Sequence, residues 1–387
     1  MERQSITKGT CGMALNEKES KVFTYIKEDP FISQQAIADK IGLSRPAVAN
    51  VISGLVRRGY LLGKAYVVNE TRPIICIGAA VVDHRYFIEN DLVIGQSGNV
   101  TTQKSSGGVA LSVAENLGRL QEDVVLLTLL GDDLEAEMIR DHIRPFVKLN
   151  EIEVVGGAAT ALYMEVQDKT GEMVLGLSEM DIYDKMDSNW LMKRATLLKQ
   201  AKAIVVDTNL PKETTEILLA MAHKNKTPVA LVTVSPLKAH NIPDNLKGTQ
   251  IFVTTQSEAE LFFDIKINDD ESLKEALNGY LKMGAEHVVI TKGRKEIQYA
   301  SYKHGMIHFD LRNQDTGGYV WGTNEALVAG MVYRYLQTKN LIDVIMTGVV
   351  NAAKTTHSLH KVRRELSQSV LEKDIKAFGE IDFKIID

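Results

Sequence analysis

The chain has 387 residues, 44% hydrophobic and 25% charged, a balance that excludes a disordered or membrane-embedded protein and allows one large α/β unit with a small one beside it. Two cysteines, Cys11 and Cys76, exclude a disulfide framework, and His, Asp and Glu show no metal-ligand spacing, so no protein-held metal is expected. The net charge of −5 is unevenly spread: the stretch before Pro73 carries +4 and the remainder −9, which suits the head, not the body, to an anionic partner.

Residues 1–15 lack periodicity and are expected to form a disordered tail. Asn16 caps a first helix with Val22, Phe23 and Ile26 on its apolar stripe, ending near Asp29-Pro30. Ser33 caps a second, short helix, Gly42-Leu43 turns the chain, and Ser44 caps a third carrying Val48, Val51, Ile52 and Leu55 inward. Gly59 stops it, and Tyr60–Val68 reads as two short strands bent at Gly63.

Beyond Thr71-Arg72-Pro73, apolar β-branched runs alternate with helical stretches: Ile74–Gly78, Val124–Leu130, Ala203–Asp207, Val229–Val234, Ile251–Thr254 and His287–Thr291. This predicts a mostly parallel sheet with helices on both faces, and alternating segments near residues 84–104 predict a small β lid. No apolar run nears the roughly 18 residues a membrane helix needs, and no signal segment precedes the body, so a cytoplasmic location is expected.

Polar groups recur at strand ends, where ligands bind in open α/β sheets. They are Asp83, Gly107-Gly108, Gly131-Asp132-Asp133, Asp207-Thr208-Asn209 and Thr291-Lys292-Gly293. The turn Asp315–Glu325 runs straight into a helix, so backbone N–H groups and a positive dipole end meet a carboxylate there. Glu325 is placed to take a hydroxyl proton, and Gly322, Thr323 and Asn324 to form an anion hole.

Two resemblances follow. Ile32–Ala38 with Gly42-Leu43-Ser44-Arg45 resembles the winged helix-turn-helix, which implies DNA binding through residues 16–70. In that arrangement Arg45, Asn50 and Ser53 would read bases, and Arg57, Arg58 and Lys64 would hold phosphates. Residues 71–387 resemble the ribokinase-like, PfkB-type carbohydrate kinases through Gly78–Asp83, Gly107-Gly108 with Ala114–Leu117, Gly131–Asp133, Thr291–Gly293 and Gly322–Gly330. Gly171-Glu172 with Ser178–Asp184, and Val206–Pro211, look most like the pseudouridine kinase branch.

The family resemblance implies a ribokinase-like α/β sandwich that transfers phosphate from Mg-ATP to a sugar or nucleoside hydroxyl. It places Asp83, Gly107, Gly108, Ser112, Asp181 and Asp207 at the substrate, and Thr291, Lys292, Gly293 and Glu258 at the nucleotide. The chain departs from the pattern at chemical positions. Glu325 stands for the family aspartate and Asn324 for a glycine; Ser112 replaces an asparagine, and Thr255 the asparagine partner of Glu258. One added methylene displaces the base by about an ångström, which costs on the order of 100-fold in rate.

Two functions are therefore expected to compete. One is a DNA-binding regulator whose kinase-fold body senses a sugar or nucleoside, with weak or lost transfer and no cofactor. The other is an active Mg-ATP-dependent sugar or pseudouridine kinase with an accessory DNA-binding head. Either is expected to be a homodimer.

Overall fold

The computed structural model describes residues 15–62, 72–89, 95–170, 172–293, 295–311, 321–338, 340–379 and 382–386. Residues 1–14 of the expected tail, residues 63–68 of the expected wing with Lys64, Gly171 and the Asp315–Val320 part of the turn lie outside the described residues.

Three helices open the chain: α1 (Glu17–Glu28), α2 (Gln34–Ile41) and α3 (Arg45–Arg57). Each start is written locally. Asn16 and Glu19 exchange hydrogen bonds between side chain and backbone at 3.0 Å, and the Ser33 and Ser44 hydroxyls accept from Ala36 and Ala47 N–H. Gly42, at φ 68°, ends α2 in the left-handed region that costs glycine least. Val22, Ile26, Ile37, Val48, Ile52, Leu55 and Leu61 close a separate small core. Ser44→Ala removes one cap worth about 1 kcal/mol, so amides of the first turn of α3 should exchange with solvent about five times faster by hydrogen-exchange mass spectrometry.

The strands of the body are β1 (Ile74–Ile77), β2 (Val81–Ile88), β3 (Val100–Gly107), β4 (Val124–Leu127), β5 (Leu129–Leu130), β6 (Glu153–Val154), β7 (Leu162–Gln167) and β8 (Met173–Glu179). They continue with β9 (Ala203–Asp207), β10 (Val229–Val232), β11 (Ile251–Thr255), β12 (His287–Lys292), β13 (Glu296–Ser301), β14 (Gly305–Asp310) and β15 (Asp382–Ile386). The helices are α4 (Val109–Arg119), α5 (Leu134–Ile143), α6 (Ser188–Met192), α7 (Ala195–Gln200), α8 (Lys212–Asn225) and α9 (Gln256–Phe263). After them come α10 (Asp270–Lys282), α11 (Thr323–Tyr335), α12 (Leu341–Thr355) and α13 (Gln368–Phe378).

The main sheet runs β15-β14-β13-β12-β11-β10-β9-β1-β4, parallel from β12 to β4 and antiparallel across β13, β14 and β15. Its parallel strands are buried on both faces, as continuous apolar runs require. Ile74 and Cys76 enter the core under α4, α11 and α12, while Ile75 and Ile77 enter the opposite core under α8 and α10. The lid is a separate sheet, β3-β2-β7-β8, and is wider than the sequence suggested, because β7 and β8 join it. Its first strand starts at Val81, three residues after β1 ends, so Gly78–Ala80 is the corner where lid and main sheet meet. Among the described residues no helix is long and apolar enough to cross a membrane.

Candidate active site

The corner after β1 is tied down by one carboxylate. Asp207, at the end of β9, is 1% exposed; its Oδ2 accepts from Ala79 and Ala110 N–H at 3.0 and 3.1 Å, and its Oδ1 from the Asn209 N–H and amide at 2.9 and 3.0 Å. Burial pushes its pKa up, against the pull of these bonds. All its acceptor positions are used by protein, so Asp207 joins β1, β9 and α4 and does not present the free sugar acceptor expected from sequence. A Cβ at Gly78 would overlap this carboxylate, which explains the glycine at φ 143°. Tyr183 completes the corner: its hydroxyl donates to Ala80 C=O at 2.6 Å and accepts from Ala80 N–H at 2.8 Å. Asp181 is exposed and lines a different hollow with Glu179 and Lys185, so of the Ser178–Asp184 motif it is Tyr183 that reaches the site.

Asp83 leaves this corner on β2, 2% exposed, and meets Lys361 Nζ at 2.6 Å. Gly107 lies opposite Val81 on β3, and a Cβ there would overlap both the Asp83 carboxylate and the Lys361 ammonium. Gly108, at φ 101°, lies against Ala79 C=O and opens α4, with Ser112 buried one turn on at 1% exposure. The glycines expected at the substrate are thus where the backbone approaches the charge pair. Lys361 was not predicted. Two residues on, the buried Arg363 guanidinium donates to Asn351 Oδ1 at 3.3 Å and pairs with Asp374 at 2.5 Å, which anchors the segment. Asn351 in turn donates to Asn116 Oδ1 and Ala326 C=O.

Gly322, at φ 74°, is the N-cap of α11, and a Cβ on it would overlap the Lys361 carbonyl oxygen. The second lysine contact therefore comes from backbone, and the turn and the 361 segment form one wall. Glu325 lies in the first turn of α11. Burial drives its pKa above the ordinary carboxylate value, Lys361 pulls it down, and Asp83 and Asp207 push it up, with a net upward shift. Its side chain is half-buried. Beside the turn, the Arg85 guanidinium lies 3.4 Å from the centre of the Trp321 ring and 3.9 Å from Glu165, joining lid to turn through a second unpredicted cation.

Among the residues expected at a nucleotide, Thr291 Oγ1 donates to Asn324 Oδ1 at 3.3 Å, and Thr291 and Gly293 line one cleft with Thr323, Asn324 and the apolar Leu327, Val349 and Ala353. Lys292 is exposed and stands opposite Glu296, 3.9 Å away, so it partly offsets that carboxylate. Glu258 does not face this cleft as a free group. Its Oε2 accepts from Thr233 and Thr255 hydroxyls at 2.6 Å and from Thr255 N–H at 2.8 Å, the capping box of α9. Among the described residues no cluster of His, Cys, Asp or Glu could cage a metal ion.

On α3, Arg45, Asn50, Ser53 and Arg57 are exposed, and the last three share one face at i, i+3 and i+7. Arg58 differs from expectation: it pairs with Glu19 at 2.7 Å and lies over the Tyr60 ring.

A mostly parallel sheet, a β lid rooted at a buried carboxylate and a helix opening on a glycine turn beside a second carboxylate lead to one comparison. Residues 72–360 match the pfkB family of carbohydrate kinases. The chain belongs to that family. Residues 15–61 match the winged helix-turn-helix DNA-binding domain, so this pfkB kinase domain carries a DNA-binding head. The chain is similar to the uncharacterized sugar kinase YeiI of Escherichia coli, 27% identical over 88% of this chain and 93% of that one. It is also similar to the pseudouridine kinase of Escherichia coli, 24% identical over 67% and 82%. The ribokinase of Arabidopsis thaliana, solved with ribose and ATP, shares the fold at a TM-score of 0.68 and 16% identity, over 79% of this chain and 99% of that one. Kinases of the pfkB family use ATP with Mg²⁺.

Proposed function

We propose that this protein is a transcriptional regulator in which residues 16–70 read DNA and residues 71–387 sense a sugar or nucleoside, with phosphoryl transfer weakened or lost. The observation that carries the reading is the first turn of α11. There a glutamate, Glu325, stands where the resemblance implies the family aspartate, and the side chain of Asn324, turned to Thr291, lines the cleft where transferred phosphate would lie. Transfer depends on positioning and charge stabilisation to within fractions of an ångström, whereas ligand binding tolerates such changes. On the side the resemblance assigns to substrate, Asp83, Gly107 and Gly108 are retained, with the Gly107 backbone lying against the Asp83–Lys361 pair. Arg45, Asn50 and Ser53 present the base-reading face.

An apolar cleft ending at a helix N-terminus would suit an ATP ring and its phosphates, with Mg²⁺ held by phosphate and water. The cytoplasm is the compartment that fits a DNA-binding protein. A homodimer fits the lid, because Met173, Val174, Leu175 and Leu177 on β8 leave apolar surface exposed.

An active kinase is the second reading, favoured by the raised pKa of Glu325, which suits a general base. Thermal-shift measurements with ribose, uridine and pseudouridine, with and without ATP and Mg²⁺, separate the two. Stabilisation by one of these without steady turnover is the expected result. Turnover at more than about 1 per second, falling at least 100-fold in Glu325→Gln, would establish the kinase instead.

A further inference from the structure

At the C-terminal end of α3 a cleft of about 530 Å³ separates the three-helix head from the body. Arg57 and Arg58 line it from the head, and Arg72 from the start of the body. From the body come Lys199, Lys202, Lys224 and Lys226, and no Asp or Glu is among the described residues that line it. Some of these cations are spoken for. Arg58 pairs with Glu19, Lys202 with Glu122 at 2.5 Å, and Arg72 donates to the carbonyls of Lys199 and Gln200. Arg57, Lys199, Lys224 and Lys226 have no carboxylate partner among the described residues.

Helix ends explain part of this. Lys199 and Lys224 sit in the last turns of α7 and α8, Lys226 is the C-cap of α8, and Arg57 closes α3. A helix C-terminus carries about half a negative charge, so three ends offset roughly one and a half of four positive charges. Three of the four lie on a body whose net charge is −9. Lys226 is held at φ 56°, a left-handed backbone that glycine adopts with less strain, yet the chain keeps a cation there.

Arg57 also belongs to the exposed face of α3 that carries Asn50 and Ser53, so the basic cleft continues the recognition face. With a rise of 1.5 Å per residue, Arg57 lies about 18 Å along the helix from Arg45, farther than the roughly 12 Å width of a major groove. A helix lying in the groove from Arg45 would bring its far end to a flanking strand. We propose that the kinase body is part of the DNA-binding surface: Lys199, Lys224 and Lys226 hold the phosphate backbone beside the groove that α3 enters. The inference rests on the winged-helix head binding DNA. It assigns to the body a share of the affinity but no sequence reading, since phosphate contacts position and base contacts specify.

The test is fluorescence anisotropy of a labelled 30-base-pair duplex of mixed sequence with the full chain between 50 and 200 mM NaCl. Each phosphate contact contributes about 0.9 to the slope of log K against log salt. The triple variant Lys199→Gln, Lys224→Gln, Lys226→Gln is expected to lower that slope by about 2.7 and to weaken binding at least about 10-fold at 100 mM salt. The pair Lys282→Gln, Lys303→Gln, elsewhere on the body, is expected to leave the slope unchanged. Glutamine keeps helix propensity, and circular dichroism melting checks each fold; the single Lys224→Gln should lower the slope by about 0.9 if the triple variant melts early. If Arg45→Ala with Asn50→Ala weakens DNA binding while the lysine variants keep the parent slope, the body is not in the interface and the proposal fails alone. If the parent chain binds no duplex at any salt, the reading of the head falls and this inference with it. If inorganic pyrophosphate binds through these lysines while the DNA slope is unchanged, the cleft is a small-anion pocket and the proposal is overturned.

Discussion

Replacing Gly322 with alanine is expected to cost about 3–5 kcal/mol of stability and to remove any thermal stabilisation by sugar or nucleoside. Two effects add. At φ 74° an L-residue pays about 1–2 kcal/mol for the left-handed backbone. The new methyl would also overlap the Lys361 carbonyl oxygen, a backbone atom that cannot swing aside as a side chain would. Either α11 shifts along its axis or the 361 segment moves, and that segment is anchored through Arg363, Asn351 and Asp374. Urea denaturation measures the loss. An unchanged midpoint together with intact ligand stabilisation would show that the turn is not held against the 361 segment.

Lys361→Met has the second large effect, because it leaves Asp83 buried at 2% exposure without its cation. Breaking one side of a buried pair costs about 3–5 kcal/mol, much of it the penalty of the orphaned charge. Lys361→Met combined with Asp83→Asn should therefore be more stable than Lys361→Met alone. A double-mutant cycle by urea denaturation is expected to give a coupling of about 2–3 kcal/mol, and additivity would refute the pair. The same substitution acts on Glu325. Lys361 holds the Glu325 pKa down against burial, so its removal raises that pKa further. A base works only when deprotonated, and its activity is gained as pH rises through its pKa. Any Glu325-dependent turnover should thus have its acidic limb moved to higher pH in Lys361→Met, read from a pH–rate profile. A limb that stays in place would separate Lys361 from Glu325.

The helical head was legible to the residue, since Asn16, Ser33, Gly42 and Ser44 act on backbone groups within four positions of themselves. The parallel strands were legible as apolar runs because burial on both faces leaves no alternation to misread. The lid was not fully legible. Its strand β8 is exposed along its whole length and carries no core-facing pattern, so nothing local marked it as sheet. The antiparallel edge of β13, β14 and β15 was missed for a related reason, as its last strand arrives only at the end of the chain.

The candidate site divides along the same line. Sequence alone determined that a DNA-binding helical head precedes a pfkB-type body, and that Gly108 and Gly322 stand at helix starts with Glu325 in the first turn of the second, because each depends on a local glycine conformation or helix start. Only tertiary structure decided which carboxylates are available. Asp207 and Glu258 read as ligand groups in sequence, yet both Asp207 oxygens and Glu258 Oε2 accept from N–H and hydroxyl donors, among them Ala79, Ala110 and Thr233 from distant parts of the chain. Asp83 read as a sugar acceptor and proves to be half of an ion pair with a lysine near the far end of the chain. Whether an oxygen is free depends on donors delivered by the fold, and neither residue type nor spacing records them.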